Sequence, residues 1–161
     1  MEEKNNSAID RLKKLDTILD EYERSIGLSV FKEQAIEDEA SNYLSMTRQE
    51  IELMTIEQCA EASLMLGGLA FYIQRAYNRE VARVNWASSV LKKTVAGREL
   101  QYKGSWESQF HQAIKNDEYC RKILDIKSYA QQRADRITFL SNSIKNLSDL
   151  FINLQRAKGL K

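Results

Sequence analysis

The chain has 161 residues, six glycines, no proline and a net charge of +1, so it carries few of the residues that interrupt helices and can supply the core of one or two helical units. Its longest uncharged run, Ala62 to Gln74, covers 13 residues, whereas a membrane span takes about 20 apolar ones. Cys59 and Cys120 are far apart and lack metal-ligand spacing, and no basic-then-apolar leader opens the chain; reduced thiols in a cytoplasmic protein, with no metal or cofactor, are expected.

The small net charge hides a polarity. Met1 to Glu61 holds 15 acidic and 7 basic residues, a net −8, while Ala62 to Lys161 holds 8 acidic and 17 basic, a net +9. Such a split suggests an anionic partner for the basic part, or an acidic segment that folds back over it.

In chain order, Ser7 and Asp10 stand at capping-box spacing and predict a first helix. Ile9, Leu12, Leu15, Ile18, Leu19 and Tyr22 form its face, and Gly27 is its stop. Val30 to Leu44 reads as a weaker, more acidic helix with Ile36, Ala40, Tyr43 and Leu44 as its contacts. Two capping pairs follow, Thr47 with Glu50 and Thr55 with Gln58. The first opens a turn or two carrying Ile51 and Met54; the second opens a long helix from Ile56 to about Ala96. The early part of that helix, from Leu64 to Ile73, is apolar on nearly every side, so it should be surrounded. Gly67 and Gly68 within it cost roughly 1 kcal/mol each relative to alanine and predict close backbone packing or a bend. Gly97 and Gly104 bracket a turn region, Ser105 caps a short helix with Trp106, Phe110, Ala113 and Ile114, and Asn116 and Asp117 end that helix or begin the last one.

The last helix carries the strongest periodic signal. Ile123, Ile126, Ala130, Arg133, Ile137, Leu140, Ile144, Leu147, Phe151 and Leu154 recur at spacings of three and four, and only Arg133 is not apolar. A single helix over this span would be roughly 48 Å long and would need partners along its whole seam. Ile123, Ile126, Ile137, Leu140, Ile144, Leu147, Phe151 and Leu154 are therefore the expected oligomerisation residues. Arg133 should find a carboxylate, a water-filled channel or a chain end, because an unpaired buried charge costs several kcal/mol.

Nothing points to catalysis. His111 is the only histidine, and it has no nucleophile and carboxylate at a recognisable spacing. The better candidate is the second half of the long middle helix. Arg75, Arg79 and Arg83 recur every four residues, and a 100° step places Trp86 and Lys93 on nearly the same face, with Tyr72 beside them. Guanidinium groups clamp phosphates and exposed aromatic rings stack on unpaired bases, which is what sequence-tolerant binding of single strands requires. The same arginines could instead pair with the acidic segment, with Trp86 buried as an anchor.

The run Arg98-Glu99-Leu100-Gln101-Tyr102-Lys103-Gly104 matches an R-x-x-x-Y-x-G pattern. Downstream, Ala113 to Asp117 leads into the long helix with Tyr129 at a matching offset. In both respects the chain resembles phage recombination mediators of the UvsY type, over roughly Ile73 to Gly159. The resemblance implies single-stranded DNA binding, ring-like homo-oligomers, and loading of a phage recombinase onto strands coated by a single-strand-binding protein, in the host cytoplasm. The family's basic motif has a lysine two residues before the arginine; here that position is Ala96, and Lys92 and Lys93 lie one turn earlier. Arg98 is the binding residue the resemblance carries over.

Together these features predict an all-α protein, an extended bundle of two long helices with a short connecting helix. An acidic N-terminal arm over residues 1–46 would precede a basic mediator-like domain over 47–161. The expected nucleic-acid-binding set is Arg75, Arg79, Arg83, Trp86, Lys92, Lys93, Arg98 and Tyr102. The expected function is non-enzymatic binding of single-stranded DNA in recombination. The alternative is a helical virion or scaffold protein whose acidic arm mates with the basic helix of the next subunit.

Overall fold

In a computed structural model of the protein, residues 3–28, 33–97 and 101–160 are described. They form α1 (Glu3–Ser25), α2 (Glu33–Leu44), α3 (Arg48–Leu53), α4 (Ile56–Ala96), α5 (Trp106–Asn116), α6 (Glu118–Ile137) and α7 (Leu140–Gly159). The protein is an all-α bundle, with no strand among the described residues. No helix among them is long and apolar enough to cross a membrane.

Local chemistry sets most helix ends. The Thr47 hydroxyl accepts from the Glu50 N–H, and the Glu50 carboxylate accepts from the Thr47 N–H at 2.7 Å, the reciprocal pair that opens α3. The Thr47 backbone N–H, followed by its hydroxyl, holds the Glu50 carboxyl below its ordinary value. Thr55 and Gln58 make the same exchange at the start of α4, at 2.8 and 3.2 Å. Ser105 caps α5, and Asp117 ends α5 while its carboxylate accepts from the Tyr119 N–H to start α6. After α1 the Leu28 N–H reaches the Glu23 carbonyl and the Gly27 N–H reaches that of Arg24. Gly27 sits at φ +78, the left-handed residue such a stop requires. Helix α1 begins at Glu3, one turn earlier than its Ser7 capping signal suggests.

The chain divides into two compact units: Met1–Ser29 with Asn78–Asp135, and Val30–Tyr77 with Arg136–Lys161. The acidic segment is thus shared, with α1 in the first unit and α2 in the second, and α4 contributes one half to each. In the first unit, Ala87, Leu91 and Val95 of α4 pack with Ala8 of α1, Ala113 of α5, and Cys120 and Ile123 of α6. Ile126 packs against the edge of this core. In the second unit, Cys59, Ala62, Leu66, Leu69 and Ala70 of α4 pack with Ala40, Met54, Ile144 and Phe151, flanked by Tyr43, Leu147 and Leu154. The Tyr43 and Phe151 rings meet edge to face at 6.3 Å. Burial, then the carboxylates of Glu61 and Glu39, push the Tyr43 hydroxyl above its ordinary pKa. Leu44 is exposed, and the Ile36 side chain lies outside the described residues.

The Gly67 region resolves as close packing within an uninterrupted helix. A Cβ at Gly67 would stand 3.6 Å from the Ser148 Oγ of α7. Beside it the buried Ser148 hydroxyl donates to the Ser63 carbonyl at 2.8 Å, and Ser141 donates to the Ala70 carbonyl at 2.9 Å. Small side chains let the two helices approach, and the hydroxyls satisfy themselves on the facing backbone.

Two expectations are corrected here. The C-terminal helix is two helices, interrupted at Thr138 and Phe139, so the heptad pattern does not run along one 32-residue rod. The seam is also covered by its own chain: Ile123, Ile144 and Phe151 are buried, and Ile126, Leu147 and Leu154 pack against the two cores. Ile137 is half-buried and Leu140 exposed, on either side of the break. The seam's burial therefore requires no second copy.

If Phe151 is the keystone of the second unit, Phe151→Ala should lower the free energy of unfolding by about 3–5 kcal/mol. Leu160→Ala, at an exposed position, should stay within about 0.5 kcal/mol. Urea denaturation followed by circular dichroism measures both.

Candidate nucleic-acid interface

The first unit holds an ion-pair array built by two antiparallel helices. Rising residue numbers on α1 meet falling numbers on α4: Asp16 meets Arg83, and Asp20 and Glu23 meet Arg79. The Arg83 Nε and Nη2 donate to the two oxygens of Asp16 at 3.0 and 2.9 Å, a bidentate fork. The Arg79 Nε and Nη2 donate to the two oxygens of Glu23 at 3.2 and 3.0 Å, and its Nη2 also reaches Asp20. The Glu23 carboxylate is the largest influence on Arg79 and pushes its pKa further up, against the opposing effect of burial. Both guanidinium side chains are largely covered, with 24% of Arg79 and 22% of Arg83 exposed.

Glu80 closes the array from beneath. Only 8% exposed, it accepts from the Arg83 Nη1 at 2.7 Å through one oxygen and from the Arg133 Nη2 at 2.8 Å through the other. Arg133 is the single charge of the heptad seam, and its carboxylate is Glu80. Its side chain is half exposed, so it does not line a closed interior. Among the described residues no buried side-chain nitrogen or oxygen lacks a partner, as a charged interior demands.

The other expected binding residues are scattered. Arg75 belongs to the second unit and is half-buried. Trp86 is partly buried against the first core, so its ring is an anchor more than a platform. Lys92 and Lys93 stand exposed near the end of α4. Tyr102 is 7% exposed and part of the core, which corrects its assignment as a base-stacking residue: its ring is covered by the first unit. Arg98 lies outside the described residues. The expected strip is thus a pair of neutralised arginines and, further along α4, a pair of open lysines.

Glu80 is the participant the charge pattern underplays. Its signal was available, an acid inside a basic stretch three residues before Arg83, which is ion-pair spacing on a helix. Its link to Arg133, 53 residues away, has no local trace.

Set against protein-family models, curated proteins and solved structures, the chain matches none.

Burial grades the array. Glu80→Ala removes a buried acid that serves two cations and should lower the free energy of unfolding by about 3 kcal/mol. Arg133→Ala removes the half-exposed partner and should cost about 1 kcal/mol or less. Denaturation of the two variants against wild type checks the order.

Proposed function

We propose that the protein is a non-enzymatic single-stranded-DNA-binding recombination mediator that helps load a recombinase onto strands carrying a single-strand-binding protein. In this reading the α1 carboxylates hold the places that phosphates take in the bound state. The observation that carries it is the geometry at Arg79 and Arg83: two guanidinium forks, one turn apart, each engaged by the two oxygens of one carboxylate. A carboxylate and a phosphate present the same paired acceptors to that fork. Lys92 and Lys93, exposed on the same helix, would make the first contact with a strand. Exchange of α1 for the strand would then recruit the arginines. The resemblance in the Arg98 to Gly104 run supports the same reading, and so does the excess of basic residues after Glu61. Binding of this kind follows the backbone and is indifferent to base sequence.

One observation favours a second reading. Arg79 and Arg83 are already neutralised within the chain, as a purely structural array would be. The protein would then be a helical virion or scaffold component that binds no nucleic acid.

Fluorescence anisotropy with a labelled oligonucleotide separates them. For a mediator, Lys92→Glu with Lys93→Glu should weaken binding about tenfold. Asp16→Asn with Asp20→Asn and Glu23→Gln should tighten it, and the slope of log affinity against log salt should steepen, by at most about 1.4, as Arg79 and the Nε–Nη2 edge of Arg83 are released from α1. For a structural protein, neither wild type nor the neutralised variant binds at low salt.

A further inference from the structure

Helix α1 docks through its acidic side chains and its N-terminal half, and its C-terminal half leaves apolar side chains exposed among the described residues. Asp16 and Glu23 point at α4, while in the N-terminal half, on the side that carries the apolar stripe, Ala8 is buried in the core and Arg11 is held on Tyr119 of α6. Further along the same side, Ile18 and Tyr22 of the C-terminal half of α1, and Ile26 in the turn after it, are 53%, 61% and 54% exposed. At 100° per residue these three fall within an arc of about 80°, and the half-buried Leu15 lies inside it. Apolar side chains of this size, four residues apart and all more than half exposed, form the seam of a helix pair that lacks its second helix.

The charges beside the seam identify that helix. Lys14 and Glu21 are exposed, lie seven residues apart, and fall within about 20° of each other along one edge of the stripe. The opposite edge carries the apolar Leu19. In a parallel pair each charged edge would face the apolar edge of its neighbour. In an antiparallel pair the charged edges face one another, and Lys14 of each copy meets Glu21 of the other, twice by symmetry. The surface is complementary to itself in one orientation only.

We infer that the protein self-associates through α1, as an antiparallel two-fold pair with Leu15, Ile18 and Tyr22 at its centre and two Lys14–Glu21 ion pairs at its rim. The partner is a second copy of this chain. The contact uses side chains about 120° around α1 from the carboxylates that hold Arg79 and Arg83, so it does not depend on the nucleic-acid reading. Three turns of helix make a small interface, below the roughly 1,200 Å² of stable complexes, and association belongs in the micromolar range.

Sedimentation velocity without nucleic acid tests this, over a concentration series reaching about 200 µM. Wild type should shift from monomer toward dimer. Ile18→Glu with Tyr22→Glu should remain monomeric with unchanged helicity, since both positions are exposed. Lys14→Glu alone and Glu21→Lys alone should each weaken the dimer about tenfold, while the double exchange restores it. A wild type that stays monomeric throughout overturns the proposal, as does self-association that survives Ile18→Glu with Tyr22→Glu. Equal weakening by the single and double charge variants overturns the antiparallel arrangement. A cysteine at position 18, close to the two-fold axis, should form a disulfide between copies under mild oxidation; failure to crosslink at concentrations where wild type is dimeric counts equally against it.

Discussion

The pairing of α1 carboxylates with α4 arginines is the interaction on which the first unit depends. Among the described residues helix α1 contributes Ala8 alone to the buried core, and its larger apolar residues are half-buried or exposed. What holds it in place is therefore unusually electrostatic: Asp16, Asp20 and Glu23 on Arg79 and Arg83, with Arg11 donating to the Tyr119 hydroxyl at 2.9 Å and lying over its ring. Partly exposed ion pairs are screened by salt, whereas apolar burial is not. The same array gives α1 its position and leaves that position partly accessible to solvent.

The second unit is built on the opposite principle. Its half of α4 is packed through Leu66, Cys59 and Ala62 against Phe151 and Ile144, with serine hydroxyls turned onto facing carbonyls. Even its one prominent lysine contact, Lys158 reaching the Glu52 and Met54 carbonyls at the end of α3, closes a helix terminus. One continuous helix thus passes from a dry, close-packed environment to a charged one. The uncharged run ending at Gln74 and the cations beginning at Arg75 mark that change in the sequence itself.

What the sequence made legible was local. The Thr47, Thr55 and Ser105 caps and the Gly27 stop are short-range hydrogen-bond chemistry, and each lies where its spacing placed it. The heptad seam correctly marked which residues must be covered, but periodicity cannot say by what. Other copies were expected, and the chain's own α4 supplies the cover. The break at Thr138–Phe139 was hidden because no glycine or proline announces it and the apolar spacing continues in phase across it. Tyr102 was misplaced for a related reason, since residues near paired glycines usually face water and this one is buried in the core. At Arg79 and Arg83 the pairing with the acidic segment, one of the two readings open in the sequence, is what the structure shows, on a face that is partly accessible.

The central claim is that α1 and a nucleic-acid backbone exclude one another on α4. Hydrogen exchange read by mass spectrometry, with and without a saturating single-stranded oligonucleotide, tests it most directly. Amides of α1 between Asp16 and Ser25 should lose protection when the strand is added, while those of α4 between Asn78 and Val95 keep or gain it. Unchanged or increased protection across α1 at every oligonucleotide concentration would contradict the account.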